Sequence, residues 1–237
     1  KLDPAEGYLE HPWVKILSDR QPHANCLTPE TSKIAVAAYF GLCSYVDYQI
    51  GLVLKALETT GLADSTRVIY TSDHGENAGA RGLWGKSVMY EESAAVPMIM
   101  SGPDIAKDAV CKTPVSLIDI YPTVLQATGL EAVEAEADLP GKSLFEIASG
   151  PNDADRPVFS EYHASASPSG GYMVRKGRYK YSAYAGGYPP ELFDLTADPG
   201  ELTDLATDPA HAATIAEYDA LLRTIVDPEK ADRQAKD

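Results

Sequence analysis

The chain has 237 residues, 44% hydrophobic and 23% charged, and a formal net charge of −15 from 35 acidic and 20 basic side chains. The length allows one large domain or two small ones, with an ordinary globular composition. The acidity sets nucleic acid and anionic membranes aside as partners, and no apolar run nears the roughly 20 residues that cross a bilayer. A pocket taking an anionic substrate would need a metal ion and local cations to reverse this field.

Residues 1–28 read as irregular, punctuated by Pro4, Pro12 and Pro22. Thr28, Pro29 and Glu30 then form a helix start: an N-cap, a proline at the first helical position and an acid in the first turn. Tyr39, Leu42, Cys43, Val46, Ile50, Val53 and Leu57 recur at spacings of three and four, predicting an amphipathic helix that ends at Thr60 with Gly61 as its left-handed cap. Arg67–Ser72 is β-branched and aromatic and predicts a buried strand running into Asp73-His74-Gly75. A second strand is expected over Val96–Met100. A helix is expected from Val115 to Thr128, stopped by Gly129, with Pro122 near its middle. This order suggests βα units and a mostly parallel sheet.

Composition shifts to Ala, Glu, Asp, Pro and Gly over residues 130–156, which read as a connection. Short strands follow at Pro157–Glu161, Gly171–Arg175, Arg178–Ser182 and Glu191–Leu195, with a hairpin turn at Lys176-Gly177. A last helix covers Pro209 to Ile225, and the final ten residues are the one stretch that reads as disordered. These elements divide the chain into residues 1–150 and a small α+β unit over residues 151–237 with an antiparallel sheet. Cys26, Cys43 and Cys111 are odd in number and show no metal spacing. No signal-peptide pattern follows Lys1, and cytoplasm and periplasm both stay open.

Asp73-His74-Gly75 sits at the C-terminal end of its strand, the edge where ligands collect in open α/β sheets. A carboxylate beside an imidazole can hold a divalent cation there, and Gly75 lets the chain turn tightly away. The other reading has Asp73 capping the next segment and His74 as a polar loop residue.

The continuation of this stretch carries a resemblance. Val68-Ile-Tyr-Thr-Ser-Asp-His-Gly-Glu76, Gly82-Leu-Trp-Gly-Lys-Ser-Val-Met-Tyr-Glu-Glu92, Val96-Pro97, Ser116–Leu125 and Leu192-Phe-Asp-Leu195 with Asp198-Pro199 and Glu201 resemble the sulfatase family. Ala38-Tyr-Phe-Gly41, Asp47 and Gly51 fit the helix preceding this strand in the family, and the likeness spans nearly the whole chain. It implies part of an alkaline-phosphatase-like, mostly parallel α/β sheet flanked by helices, with a small C-terminal α+β subdomain. It also implies Asp73 and His74 as a pair of ligands to calcium, magnesium or manganese, and Lys86 as the contact to the sulfate group. An ammonium beside the metal would stabilise charge developing on ester oxygens. Arg81 stands where the family often has His or Arg: a substrate contact, with a surface arginine as the alternative. His163 stands where related sulfatases reach over the pocket, with an exposed turn histidine as the alternative. Trp84 and Tyr90 read as packing residues.

Two parts of the family's catalytic equipment are absent. No C-x-P-S-R motif supplies the residue converted to formylglycine, the nucleophile of the family. Cys26 and Cys111 have proline three residues on rather than two, and Ser101-Gly102-Pro103 has Ile105 where arginine is required. No Asp-Asp pair provides the first metal ligands, and His11-Pro12 and Pro22-His23 are not assigned to the family's histidine loop. The chain is thus read as a C-terminal portion of a sulfuric ester hydrolase, without useful turnover alone, its formylglycine expected in an N-terminal part. The Met89-Tyr90-Glu91 and Tyr162-His163 segments resemble choline-sulfatase-like and arylsulfatase-K-like members. That implies a small organic or sugar sulfate ester, including a sulfated uronic acid, as substrate. The acidic, Ala-rich composition fits a bacterial protein. The alternatives are a phosphonate or phosphate ester hydrolase on the same scaffold, and a non-catalytic binding module that exposes an apolar patch and forms a homo-oligomer.

Overall fold

The computed structural model describes residues 11–20, 27–130, 132–133, 138–164 and 166–237. Pro4, Pro22, His23, Cys26 and parts of the 130–156 connection lie outside them. The expected irregular start contains a helix, α1 (Pro12–Asp19), with Pro12 in the first turn, where its missing N–H is not needed. Trp13, Val14 and Leu17 are buried on it.

Helix α2 (Pro29–Thr59) follows the expected bounds: the Thr28 side chain accepts from the Thr31 N–H, Thr31 answers reciprocally, and Gly61 takes φ 73° beyond the end. Its apolar positions do not face a core here. No residue of α2 is buried, and Phe40, Leu42, Tyr45, Tyr48 and Val53 are each more than 60% exposed.

Strands β1 (Val68–Thr71) and β2 (Met98–Ser101) form a two-stranded pair in the register Val68 opposite Ser101 and Thr71 opposite Met98. That pairing is antiparallel, whereas the element order suggests parallel neighbours. A parallel return needs a crossover of a dozen or more residues, normally helical. Here the connection holds a 3₁₀ turn at Ala80–Gly82 and only four helical residues, α3 (Glu91–Ala94). Helix α4 (Ile120–Thr128) is preceded by a 3₁₀ turn at Leu117–Asp119 and closed by Gly129 at φ 70°. The later start puts Pro122 in the first α-helical turn rather than mid-helix, so it breaks no ladder bond. The expected connection contains a further helix, α5 (Leu144–Ser149), capped by Ser143.

The second unit is an antiparallel meander: β3 (Val158–Tyr162), β4 (Gly171–Lys176), β5 (Tyr179–Tyr184) and β6 (Glu191–Asp194), in that order. The β4–β5 turn is Gly177-Arg178, one residue later than expected, with Gly177 at φ 56°. Alternation along the strands makes two faces. Tyr172, Val174, Tyr181 and Leu192 pack against Tyr218 and Leu222 of α6 (Ala212–Ile225). On the other face, Tyr184 and Phe193 pack with Trp13, Val14 and Leu17 of α1 and with Leu83, Val88 and Tyr90. Trp13 Nε1 donates to the Ser169 carbonyl and hydroxyl at 3.1 and 3.2 Å. The last ten residues contain helix α7 (Pro228–Lys236), capped by Asp227. Asp232 secures it by accepting from the Gly170 N–H at 2.7 Å.

Candidate active site

Strand β1 ends at Thr71 and delivers Ser72-Asp73-His74-Gly75 to one rim of a cavity of about 670 Å³. The turn is held by its own polar groups. Ser72 Oγ donates to the His74 carbonyl at 2.8 Å, and the His74 N–H donates to Asp73 Oδ1 at 3.0 Å. His74 Nδ1 faces the Gly75 carbonyl at 2.8 Å, so it carries the ring proton and leaves the Nε2 lone pair free. That Nε2 lies 3.6 Å from Asp73 Oδ2. One divalent cation, with bonds of about 2.0–2.6 Å, spans such a pair. Asp73 is 85% exposed, so this half-site is open. Among the described residues, no third His, Cys, Asp or Glu joins the two to form an ion-binding cluster.

Gly75 serves by closeness rather than by a left-handed turn. Its N–H donates to the Ser93 carbonyl at 2.8 Å, and a Cβ there would stand 2.0 Å from the Glu92 carbonyl oxygen. The Ser72–Gly75 turn and α3 are therefore in backbone contact.

Lys86 is exposed and lines the same cavity as Asp73 and His74. Its loop is internally tied: Asn77 Nδ2 donates to the Gly85 carbonyl at 2.8 Å, and Glu76 Oε1 accepts from the N–H groups of Ala78 and Gly85 at 3.0 and 2.6 Å. The opposite wall comes from the second sheet, with Ser160, Tyr162, Met173 and Arg175. Sequence, then, separates by nearly a hundred positions what the fold brings to one hollow.

The other named residues sit elsewhere. Arg81 is 1% exposed and does not line the cavity. Its guanidinium donates to Glu92 at 2.5 Å and to the Gly200 carbonyl, and lies 4.3 Å from the centre of the Tyr90 ring. Buried, with both terminal guanidinium nitrogens engaged inside, Arg81 is a strut and not a surface arginine. His163 lies off the cavity as well, edge-on to Tyr172, which belongs to the α6 face of the sheet. Its neighbour Tyr162, the last residue of β3, lines the hollow instead. Tyr90 is buried and donates to Glu191 at 2.8 Å, and Trp84 covers Gly79, so both pack. Burial holds the Tyr90 hydroxyl well above its ordinary range, with the Glu191 charge adding to it.

Behind the cavity runs an ionic seam that no residue spacing announces. Lys180 is fully buried between Glu201 at 2.6 Å and Glu91 at 2.9 Å, and Arg175 reaches Glu91 at 3.5 Å. Glu201 also accepts from the Glu91 N–H at 2.7 Å. Burial raises the Glu201 carboxyl above its usual range, and Lys180 offsets this only in part. The visible signal was a lysine inside a tyrosine-rich strand, Tyr179–Tyr184, that carries no other charge.

The chain is similar to known proteins along most of its length. The sulfatase family model matches residues 4–130, and the model for the C-terminal region of N-sulphoglucosamine sulphohydrolase matches residues 79–227. Arylsulfatase K of Rattus norvegicus is 39% identical over 173 residues, covering 69% of this chain and 30% of that protein. Choline-sulfatase of Rhizobium meliloti is 38% identical over 173 residues, covering 73% and 33%. A putative sulfatase from Bacteroides thetaiotaomicron superposes with a TM-score of 0.76 at 27% identity, covering 100% of this chain and 50% of that one. A phosphonate monoester hydrolase from Silicibacter pomeroyi superposes with a TM-score of 0.80 at 29% identity, covering 94% and 50%. The chain spans about a third of the length of those two curated relatives and half of those two solved structures. From the length of these matches, the chain belongs to the sulfatase family, on its alkaline-phosphatase-like fold.

Proposed function

We propose that this chain is the C-terminal portion of a metal-dependent sulfuric ester hydrolase, with a small organic or sugar sulfate ester as substrate. The observation that carries the reading is the 3.6 Å approach of Asp73 Oδ2 to His74 Nε2 on the rim of the hollow that Lys86 also lines. These two residues would hold a calcium ion, or magnesium or manganese in its place. When bound, the cation supplies Lewis-acid polarisation of the ester oxygens. His74 is fixed in the tautomer that ligation needs by its Nδ1 contact to Gly75. Lys86 sets a positive charge against the sulfate and favours the state in which negative charge builds on the departing oxygen. The nucleophile, a formylglycine, would come from an N-terminal part, without which the chain has no useful turnover. The bare apolar side chains of α2 support that reading, since a further part of the domain would cover them. The division at residue 150 into a catalytic part and a C-terminal subdomain belongs to the same proposal. Arg81 and His163 have no place in the substrate contact proposed here.

A second reading, a phosphonate or phosphate ester hydrolase, is favoured by the Silicibacter pomeroyi superposition. The test is to read the coding DNA preceding the Lys1 codon and express the frame it belongs to. A C-x-P-S-R-like motif and an aspartate pair are expected, with hydrolysis of 4-nitrophenyl sulfate faster than of an aryl phosphonate. The reverse order of rates establishes the second reading. A frame without either motif overturns both and leaves a binding module.

A further inference from the structure

Lys86 stands between two residues in the left-handed region: Gly85 at φ 73° and Ser87 at φ 89°. Serine there is strained, and the same loop carries Ala78 at φ 47° and Arg81 at φ 52°. Strain of this kind persists only where surrounding bonds enforce it. Here the enforcing group is identifiable. Glu76 Oε1 receives two backbone N–H groups, from Ala78 at 3.0 Å and from Gly85 at 2.6 Å, drawing the two ends of the loop onto one oxygen. Asn77 doubles the tie from its own side chain and from its N–H, both donating to the Gly85 carbonyl at 2.8 Å. Both backbone polar groups of Gly85, the residue preceding Lys86, are thereby held.

We propose that Glu76 is a positioning residue: its carboxylate clamps the Gly85 peptide and so fixes the direction in which Lys86 presents its ammonium to the sulfate-bearing substrate. The inference rests on the proposed role of Lys86. A charged acceptor makes the clamp stronger than a neutral one would. Glutamine keeps the same oxygen and the same reach, so Glu76→Gln retains a weakened clamp, while Glu76→Ala removes it.

The experiment uses the ¹⁵N-labelled chain, with inorganic sulfate as the probe. Amide exchange at Ala78 and Gly85 reads the clamp, and the sulfate-induced shift of the Lys86 amide reads its consequence. Glu76→Ala is expected to speed Gly85 exchange by about tenfold or more. It should leave the exchange of β4 and β5 amides unchanged and weaken the Lys86 response to sulfate severalfold. Glu76→Gln should recover most of both. Unchanged Gly85 exchange in Glu76→Ala overturns the clamp, as does an unchanged sulfate response once exchange has quickened. A wild-type Lys86 amide that ignores sulfate overturns the role of Lys86 itself, and with it the positioning.

Discussion

Lys180 and Glu201 meet at 2.6 Å with neither side chain exposed to solvent. The contact joins a central strand of the second sheet to the loop beyond β6, and both residues also engage Glu91 at the start of α3. Removing Glu201 leaves the buried Lys180 charge balanced only by the partly exposed Glu91. Glu201→Ala is therefore expected to lower stability by about 3–5 kcal/mol in urea unfolding. A loss below about 1 kcal/mol, the surface-pair range, would show that water reaches Lys180.

Gly75→Ala tests the closeness of two backbones. The new methyl would stand 2.0 Å from the Glu92 oxygen, and backbone cannot swing aside as a side chain can. A cost of about 1–3 kcal/mol is expected in thermal unfolding. Calcium or manganese binding, followed by titration, should weaken as well, because the displaced turn carries Asp73 and His74.

Glu191 gives a pH dependence with a definite sign. Burial raises its carboxyl above the ordinary range, against the lowering influence of His11, Tyr184 and Tyr90. The folded state thus holds this proton more tightly than the unfolded chain does. The stabilisation is complete below the ordinary glutamate value of about 4.3 and is lost as pH rises through the raised value. Glu191→Gln has no proton to lose. The melting temperature of the wild type relative to Glu191→Gln should fall as pH rises above about 4. A constant or rising difference would contradict the assignment.

The uncovered side chains of α2 predict self-association of the isolated chain. Phe40 and Val53 are exposed by 64% and 63%. Replacing both with lysine should shift sedimentation toward the monomer without changing the far-ultraviolet spectrum. Persistent oligomers after Phe40→Lys and Val53→Lys would place the sticky surface elsewhere.

Much of this was readable from local chemistry. Thr28, Pro29 and Gly61 mark the ends of α2 to within a residue, because caps act over a single turn. The strand alternation of Gly171–Tyr184 likewise announced its hairpin. What escaped was non-local. Helix α1 is too short for periodicity to reveal, and its burial depends on Tyr184 and Phe193, far along the chain. Arg81 carries no mark of being internal until Glu92 and Gly200 close around it. His163 and Tyr162 are adjacent in sequence, yet Tyr162 lines the hollow while His163 lies edge-on to Tyr172.

Trp13 finds its hydrogen-bond partner, Ser169, 156 positions later. During synthesis, α1 must then wait, its indole without a permanent neighbour, until β4, β5 and β6 have left the ribosome. Closing so long a loop is slow relative to forming the local hairpins. The meander is thus expected to zip first and to capture α1 last, with near-ultraviolet signals from Trp13 lagging behind strand formation in refolding.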